Sequence, residues 1–174
     1  VSARNFREGK PISDTVQQRF TKVKPRPAVS LGSLAGGIRY AYFEGDWENL
    51  PQFAQLKPVK EGVLANFSLS PRNQPEHFGF EYTGFIRVLS DGVYTFFTDS
   101  DDGSRLYIGD ALVVDNDGLH GMQEQKGVIA LAAGLHPLRV TFFQKLGGIG
   151  LKVSYKGPRL EKQPVPEAAL FHKK

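Results

Sequence analysis

Apolar and polar side chains alternate along much of the chain from Gly36 onward, and this period of two restricts the fold more than any other feature. In HFGFEYTGFIRVL, large apolar side chains fall on one face, and Glu81, Thr83 and Arg87 fall on the other. HPLRVTFFQ and GLKVSY show the same alternation. Because successive side chains of a strand point to opposite faces of a sheet, each segment is predicted to be a half-buried antiparallel strand.

Further short apolar segments raise the predicted number of strands to about eight to ten, each bounded by Gly, Asp or Pro. We therefore predict an all-β fold, an antiparallel two-sheet β-sandwich with little helix, at most one turn near Leu50 to Leu56. The alternation also predicts the side chains that face the core, namely Phe80, Tyr82, Ile86, Phe96, Leu106, Ile108, Val140, Phe142, Leu151 and Val153.

The N-terminal segment differs from the rest. VSARNFREGKPISDTVQQRF has the pattern of a hairpin, and the prolines of KPRPAV predict a stiff, extended connector after it. We predict that residues 1–27 are the terminal hairpin of an upstream domain with a proline-rich linker. Residues 28–174 are predicted to form the sandwich, including a returning C-terminal strand. A hairpin that packs on this sandwich is the alternative. Because the chain begins at Val1, we expect a piece of a longer protein.

Composition excludes several classes of function. The chain has no cysteine, so it has no disulfide framework, thiolate zinc site or cysteine nucleophile. The formal charge of +4 comes from cations gathered at the two ends and not from a basic stretch interleaved with aromatics, so we expect no nucleic-acid partner. No apolar segment approaches the roughly 20 residues that span a bilayer, so we expect no membrane insertion.

Carboxylates are concentrated in GVYTFFTDSDDGSRLYIGDALVVDNDG, residues 92–118, which carries one cation, Arg105. Oxygen ligands without cationic partners favour a hard cation, so Asp101 and Asp102 are candidate ligands for Ca²⁺. The alternative is a turn whose carboxylates accept backbone hydrogen bonds while Gly103 supplies a positive φ. The acidic side chains of this segment are Asp99, Asp101, Asp102, Asp110, Asp115 and Asp117.

The DNDG sequence that ends this segment predicts a second turn. Asn and Asp tolerate left-handed backbone, and Gly118 favours it. Because binding residues concentrate on loops held by a rigid scaffold, Asn116, Asp117 and His120 are candidate ligand-binding residues at the loop tip. No nucleophile elbow or metal-binding histidine spacing accompanies them, and we expect no catalytic residues in this chain.

DGVYTFFTDSDDGSRLYIGDALVVDNDGLHG, followed by GVIALAAGLHPLRVTFFQKLGGIGLKVSY, resembles the PA-fourteen domain family, named for a fragment of the anthrax protective antigen. The shared pattern is a G-x-Y-x-F strand, the S-D-D-G-S turn, an L-x-I strand, a glycine-containing loop, a strand opening with G-x-H-P and a closing G-G-x-x-L strand. The resemblance runs from about Gly36 to Lys156, and VPEAALFH matches the family's returning last strand.

The resemblance implies a β-sandwich of the kind attached to glycosidases, adhesins and toxins. In flocculin-type adhesins of this family, paired Asp residues joined by a cis peptide hold the Ca²⁺ that contacts sugar hydroxyls, and Asp101 and Asp102 match that pair. The adhesins add an Asn or Asp from a second loop, where this chain reads QKLGGIG and offers Gln144 and backbone carbonyls. The N-terminal sequence also resembles the junction that precedes such a module in bacterial exo-hexosaminidases.

These observations predict a noncatalytic carbohydrate-binding module of a secreted or surface glycoside hydrolase, β-N-acetylhexosaminidase-like, with Ca²⁺ at the Asp-Asp turn. The expected partners are a glycan and other domains of the same polypeptide, and the expected location is extracellular, at the cell surface or periplasmic. The alternative is a structural module that packs against the catalytic domain or spaces it and has no ligand.

Overall fold

A computed structural model describes residues 2–17 and 23–174. The first four strands are two residues long and form two small antiparallel pairs, β1 with β4 and β2 with β3. They are β1 (Ser2–Ala3), β2 (Phe6–Arg7), β3 (Lys10–Pro11) and β4 (Val16–Gln17). Glu8 and Gly9, which connect β2 and β3, both have positive φ. The predicted hairpin is thus present within residues 2–17, and the rest of its predicted length lies outside the described residues.

The remaining strands form the two antiparallel sheets of a sandwich, which confirms the predicted fold class. The larger sheet contains β5 (Leu34–Gly36), β6 (Ile38–Glu44), β7 (Lys60–Leu64), β8 (Phe78–Val88), β10 (Ser104–Ile108), β11 (Ala111–Asn116), β13 (Gly134–Gln144) and β16 (Leu170–Lys173). The smaller sheet contains β9 (Gly92–Asp101), β12 (Gln123–Leu131), β14 (Gly150–Gly157) and β15 (Leu160–Pro164), in the order β12-β9-β14-β15.

Helical structure in the described residues is limited to two single 3₁₀ turns, Phe53–Gln55 and Glu167–Ala169. The first lies where the sequence predicted one turn. No helix in these ranges is long and apolar enough to cross a membrane.

The core lies between the two sheets and is rich in aromatic side chains. Phe80 and Tyr82 of β8 are fully buried, and their rings stack with centroids 5.5 Å apart. Across the sheet, β8 pairs with β13 so that Phe80 is opposite Phe142 and Tyr82 is opposite Val140. Burying each such side chain contributes on the order of 1.5–3 kcal/mol.

Nine of the ten predicted inner side chains are buried, which confirms the alternation as the basis of the fold. The tenth, Leu151, is only partly buried because it lies next to the first residue of β14, at the loop end of the sandwich. Gly127 of β12 brings the two sheets unusually close together at one edge. A Cβ atom at this position would lie 1.5 Å from the carbonyl oxygen of Val113 in β11.

The N-terminal strands contribute little to this core. Every residue from Ser2 to Gln17 is exposed. Backbone contact between the connector and the sandwich is present at Arg26, whose N–H donates to Ala130 at 2.8 Å and whose carbonyl accepts from Ala132 at 2.9 Å. Arg26 also forms an ion pair with Asp110. Contact therefore exists one residue before the proline at 27, inside the segment that the sequence predicted to be a linker.

We expect deletion of residues 1–23 to leave the thermal midpoint nearly unchanged, because strands β1 to β4, within residues 2–17, are exposed throughout. Deletion of residues 1–27 should lower the free energy of unfolding by roughly 1–3 kcal/mol, because two backbone hydrogen bonds of Arg26 are lost at about 0.5–1.5 kcal/mol each. Thermal melts of both truncations against the full chain measure the difference. Loss of a cooperative transition in the shorter deletion would contradict this prediction.

Candidate functional site

The two aspartates of the S-D-D-G-S turn lie at one end of the sandwich. Asp101 is the last residue of β9, and Asp102 begins the turn to β10. Their side chains are buried, with 7% and 5% of each residue exposed. The peptide bond between them is cis, as the family resemblance implies. We refer to these two residues as the Asp pair.

Asp102 connects two loops. Its Oδ1 accepts the backbone N–H of His120 at 3.2 Å, and its Oδ2 accepts the backbone N–H of Lys145 at 2.8 Å. His120 belongs to the histidine loop, residues 117–122 between β11 and β12. Lys145 begins the glycine loop, residues 145–149 between β13 and β14. One carboxylate therefore holds both loops against the end of β9.

Asp101 faces the glycine loop. A Cβ atom on Gly148 would lie only 2.4 Å from Asp101 Oδ2, so the glycine is what allows this carboxylate to approach. Burial raises the pKa of Asp101, and the charge of Asp102 raises it further, while His120 and the N–H of Met122 act in the opposite direction.

The other acidic side chains of residues 92–118 have cationic partners, contrary to the expectation that they would lack them. Asp99 lies 3.8 Å from Lys152, and Asp110 pairs with Arg26. Asp115 and Asp117 both pair with Arg105, at 2.8 Å and 3.3 Å. The partners Lys152 and Arg26 are distant in sequence, which is why the local count of charges missed them. In the described part of the chain, the Asp pair has no cation within 4.0 Å.

Gly103, the next residue of the turn, does not have the positive φ that the turn interpretation required. A Cβ atom at this position would lie 2.5 Å from the ring of Phe143 and 2.8 Å from the backbone nitrogen of Gly118. Glycine is therefore needed here for close packing between the turn and the histidine loop. Gly118 does have positive φ, at 110°, as predicted for the DNDG turn.

Two of the predicted binding residues have their polar groups directed into the protein. The amide nitrogen of Asn116 donates to Ser100 Oγ at 3.1 Å and to the carbonyl of Gln123 at 2.9 Å, and its Oδ1 accepts from the Gln123 side chain. Asp117 Oδ1 accepts the backbone N–H of Leu50 at 2.7 Å. These contacts give Asn116 and Asp117 structural roles in shaping the loop.

His120 lies beside the Asp pair, so the structure brings together three of the five predicted site residues. Its side chain is half-buried, and its two ring nitrogens face the carbonyl oxygens of Gly121 and Asn116, at 2.9 Å and 3.0 Å. These contacts orient the ring along its own loop. The backbone N–H of His120, and not its ring, is the group that binds Asp102.

A third loop borders the site, and sequence analysis missed it. The tryptophan loop, residues 45–52 after β6, is held by Lys145, whose Nζ lies 3.4 Å from Asp46 and 3.3 Å from Glu48. Trp47, between these two acids, is half-buried and packs edge-on against Phe53. No local pattern indicates this loop, because about one hundred residues separate it from Lys145.

The donor atoms at this end fit a hard cation such as Ca²⁺, which binds oxygen ligands. The Asp pair supplies two buried carboxylates, and the side-chain oxygen of buried Gln144, next to Lys145, has no hydrogen-bond partner in the described residues. No group of three or more His, Cys, Asp or Glu side chains suited to a metal occurs within residues 2–17 and 23–174. Any further ligands would therefore be amide or carbonyl oxygens and water.

Comparisons with known proteins agree with this architecture. A family model described as "PA14 domain" matches residues 34–169. An alpha-agarase of Thalassotalea agarivorans is 29% identical over 126 residues, which are 72% of this chain and 8% of the agarase. The anti-sigma-I factor RsgI3 of Acetivibrio thermocellus is 22% identical over 78% of this chain and 21% of its own length. The chain thus spans a small part of these curated relatives.

Solved structures share the fold at low sequence identity. An anti-sigma factor domain-containing protein has a TM-score of 0.69 and 19% identity, covering 80% of this chain and 48% of that one. A PA14 sugar-binding domain from an RTX adhesin has a TM-score of 0.65 and 16% identity, covering 79% and 98%. The epithelial adhesin 9 A domain of Candida glabrata, in complex with Galβ1-4GlcNAc, has a TM-score of 0.66 and 13% identity, covering 86% and 96%.

Proposed function

The chain belongs to the PA14 domain family, and on that premise we propose that it is a noncatalytic carbohydrate-binding module whose saccharide site lies at the Asp-pair end of the sandwich. The observation that carries this proposal is the burial of two adjacent carboxylates without a cationic partner in the described residues. Placing charge in a low-dielectric environment is costly unless an ion or hydrogen bonds compensate for it. Two backbone N–H groups offset part of that cost at Asp102, and a bound cation would account for the rest.

We propose Asp101 and Asp102 as the residues that hold Ca²⁺. When bound, this ion would supply coordination to sugar hydroxyls, which are neutral oxygen donors of the kind it accepts. The chain's own contribution is to fix the carboxylates and shape the rim. Asp102 fixes the histidine and glycine loops, and Gly148 leaves space beside Asp101. Loops held by a rigid sandwich are well suited to present such a site.

The names of the relatives support a saccharide as the partner. One structural neighbour is described as sugar-binding, another was solved with Galβ1-4GlcNAc, and one curated relative is an agarase. We propose that the parent protein is a secreted or surface glycoside hydrolase that carries this module outside the cytoplasm or in the periplasm. A β-N-acetylhexosaminidase parent stays a prediction, since it rests only on the N-terminal resemblance.

A structural module without a ligand is the second candidate, and one observation favours it. Both carboxylate oxygens of Asp102 already accept backbone N–H groups, so this residue has a stabilising role with or without an ion. Asn116 and Asp117 likewise form hydrogen bonds within the protein that stabilise the loop whether or not a ligand is bound. In this alternative the Asp pair shapes the end of the sandwich, and other surfaces of the module contact the remaining domains of the same polypeptide.

A glycan array probed with the chain in millimolar Ca²⁺ and in chelator tests the proposal. We expect at least one glycan class to bind in Ca²⁺ and to lose binding in chelator. Asp101→Asn should abolish this signal, and Asp99→Asn, which removes a paired carboxylate from the same strand, should keep it. Binding that is identical with and without Ca²⁺ would contradict the role of the Asp pair. Absence of binding to every glycan would favour the structural module.

A further inference from the structure

The large sheet divides at Gly84. Along one edge of β8, β6 pairs with residues 78–83 and β16 pairs with residues 85–86, so the two strands separate at this glycine. A Cβ atom on Gly84 would lie 2.6 Å from the carbonyl oxygen of Phe171 and 3.3 Å from Ile38. The division leaves a groove of about 370 Å³, which is within the range of small-molecule sites.

The side chains that line this groove are unusually cationic. Arg139, Thr83 and Arg39 form one row across three neighbouring strands, because Thr83 is opposite Arg139 in β13 and opposite Arg39 in β6. Strands lie about 4.8 Å apart, so the two arginine backbones are roughly 10 Å from each other. Lys173 of β16 is the third cation of the lining, which contains no carboxylate among the described residues.

Two of these three cations have no ion pair in the described residues. Neither Arg39 nor Lys173 has a carboxylate within 4.0 Å in the described residues, and Arg39 donates only to the carbonyl oxygen of Lys173, at 3.0 Å. Arg139 is held in place by Glu81 at 3.3 Å and lies 3.9 Å from the ring centre of Tyr107. A guanidinium stacked on an aromatic ring is pre-organised for planar, two-point hydrogen bonding.

His172 lies at the same division of the sheet, but its ring does not share the face of the arginines. Along β16, Phe171 packs against Arg87 on the outer face and Leu170 is buried in the core, so alternation places the His172 side chain on the inner face. The groups that a ligand oxygen in the groove would meet are therefore the free N–H groups of Arg39 and the ammonium of Lys173.

We propose that this groove binds a carboxylate or sulfate group, either as a free ion or as a substituent of an acidic saccharide. Planar guanidinium groups recognise such oxyanions through charge-assisted hydrogen bonds. The site lies on the larger sheet, is built from residues other than the Asp pair and its loops, and requires no Ca²⁺. It therefore goes beyond the proposed function, and its failure would leave that function unaffected.

Titration of the ¹⁵N-labelled chain with sodium sulfate, sodium glucuronate and neutral glucose, at constant ionic strength, tests the proposal. We expect saturable amide shifts at Thr83, Gly84 and Lys173 with at least one of the two anions and none with glucose. Shifts with sulfate alone would identify a sulfate ligand, shifts with glucuronate alone would identify a carboxylate, and shifts with both would show that the groove accepts either oxyanion. The shifts should persist in chelator. Saturation by neither anion, or equal shifts with glucose, would overturn the proposal.

Variants distinguish a specific oxyanion site from the nonspecific attraction of anions to a chain with a net positive charge. Arg39→Gln should weaken anion binding at least tenfold, and adding Arg139→Gln should remove saturation. Arg39 is exposed and has no ion pair in the described part of the chain, so the single variant should fold normally. Arg7→Gln, an exposed arginine of β2, makes the same change in net charge and should leave binding unchanged. Equal weakening in Arg7→Gln and Arg39→Gln would reduce the effect to net charge and reject the site.

Discussion

Replacing Gly127 with alanine should lower the free energy of unfolding by about 3 kcal/mol or more, at the top of the usual range for overpacking. The added Cβ would lie 1.5 Å from the carbonyl oxygen and 2.5 Å from the carbonyl carbon of Val113. Both are backbone atoms of β11, so no side-chain rotation relieves the contact. Strands β11 and β12 would have to separate, and the histidine loop between them would move with them.

Thermal or denaturant unfolding measures this effect, and Gly36→Ala is its matched control. Gly36 lies in β5, where an added Cβ would have no atom of the described residues within 4 Å, so this variant should differ from the wild type by less than about 1 kcal/mol in its free energy of unfolding. In a domain of this size, 3 kcal/mol corresponds to a fall of roughly 6–12 °C in the midpoint. A Gly127→Ala midpoint equal to that of Gly36→Ala would show that the two strands can shift apart at little cost.

Ca²⁺ at about a hundred times its Kd should raise the free energy of unfolding by roughly 2.7 kcal/mol, because the ion binds only the folded Asp pair. The midpoint should then rise by roughly 5–10 °C. Asp102→Asn should remove this increment, since it deletes one anionic ligand. It should also lower the midpoint in chelator, because the amide can accept from only one of the backbone groups of His120 and Lys145.

The difference between Ca²⁺ and chelator, measured for each variant, is the quantity that separates the ion from the structural role. Asp99→Asn removes a carboxylate of the same strand that pairs with Lys152, and it should retain the full increment. A calorimetric titration with Ca²⁺ provides a second readout. Equal midpoints of the wild type in Ca²⁺ and in chelator, with no heat of binding, would reject the ion and leave the structural module.

Sequence patterns predicted the sandwich well because its inner positions follow a local rule. Phe80, Tyr82 and Phe142 face the core since strand geometry places every second side chain on the same side. The Asp pair was also identifiable, through its carboxylates and the surrounding motif. The partners of the pair were harder to predict. Lys145 contacts Asp102 across 43 residues and reaches Asp46 and Glu48 in another loop, and no periodicity encodes such a contact.

The ion pairs of the acidic side chains could not be predicted from local sequence either. The sequence placed six acidic side chains around one arginine, whereas folding brought Arg26 to Asp110 and Lys152 to Asp99. Those pairings left Asp101 and Asp102 as the buried carboxylates without a cation in the described chain, a distinction that composition does not make. Tertiary structure likewise turned Asn116 inward, because its amide completes a hydrogen-bond network with Ser100 and Gln123.

By itself, the sequence determined the all-β class, the inner face of each strand and the turn that carries the Asp pair, because side-chain alternation and turn chemistry act over a few residues. Only the tertiary structure decided which loops meet at that turn and where the large sheet divides beside Gly84. It also placed Arg39 and Arg139, one hundred residues apart, on either side of one groove. Strand order and register decide which residues become neighbours, and both depend on the packing of the whole sandwich.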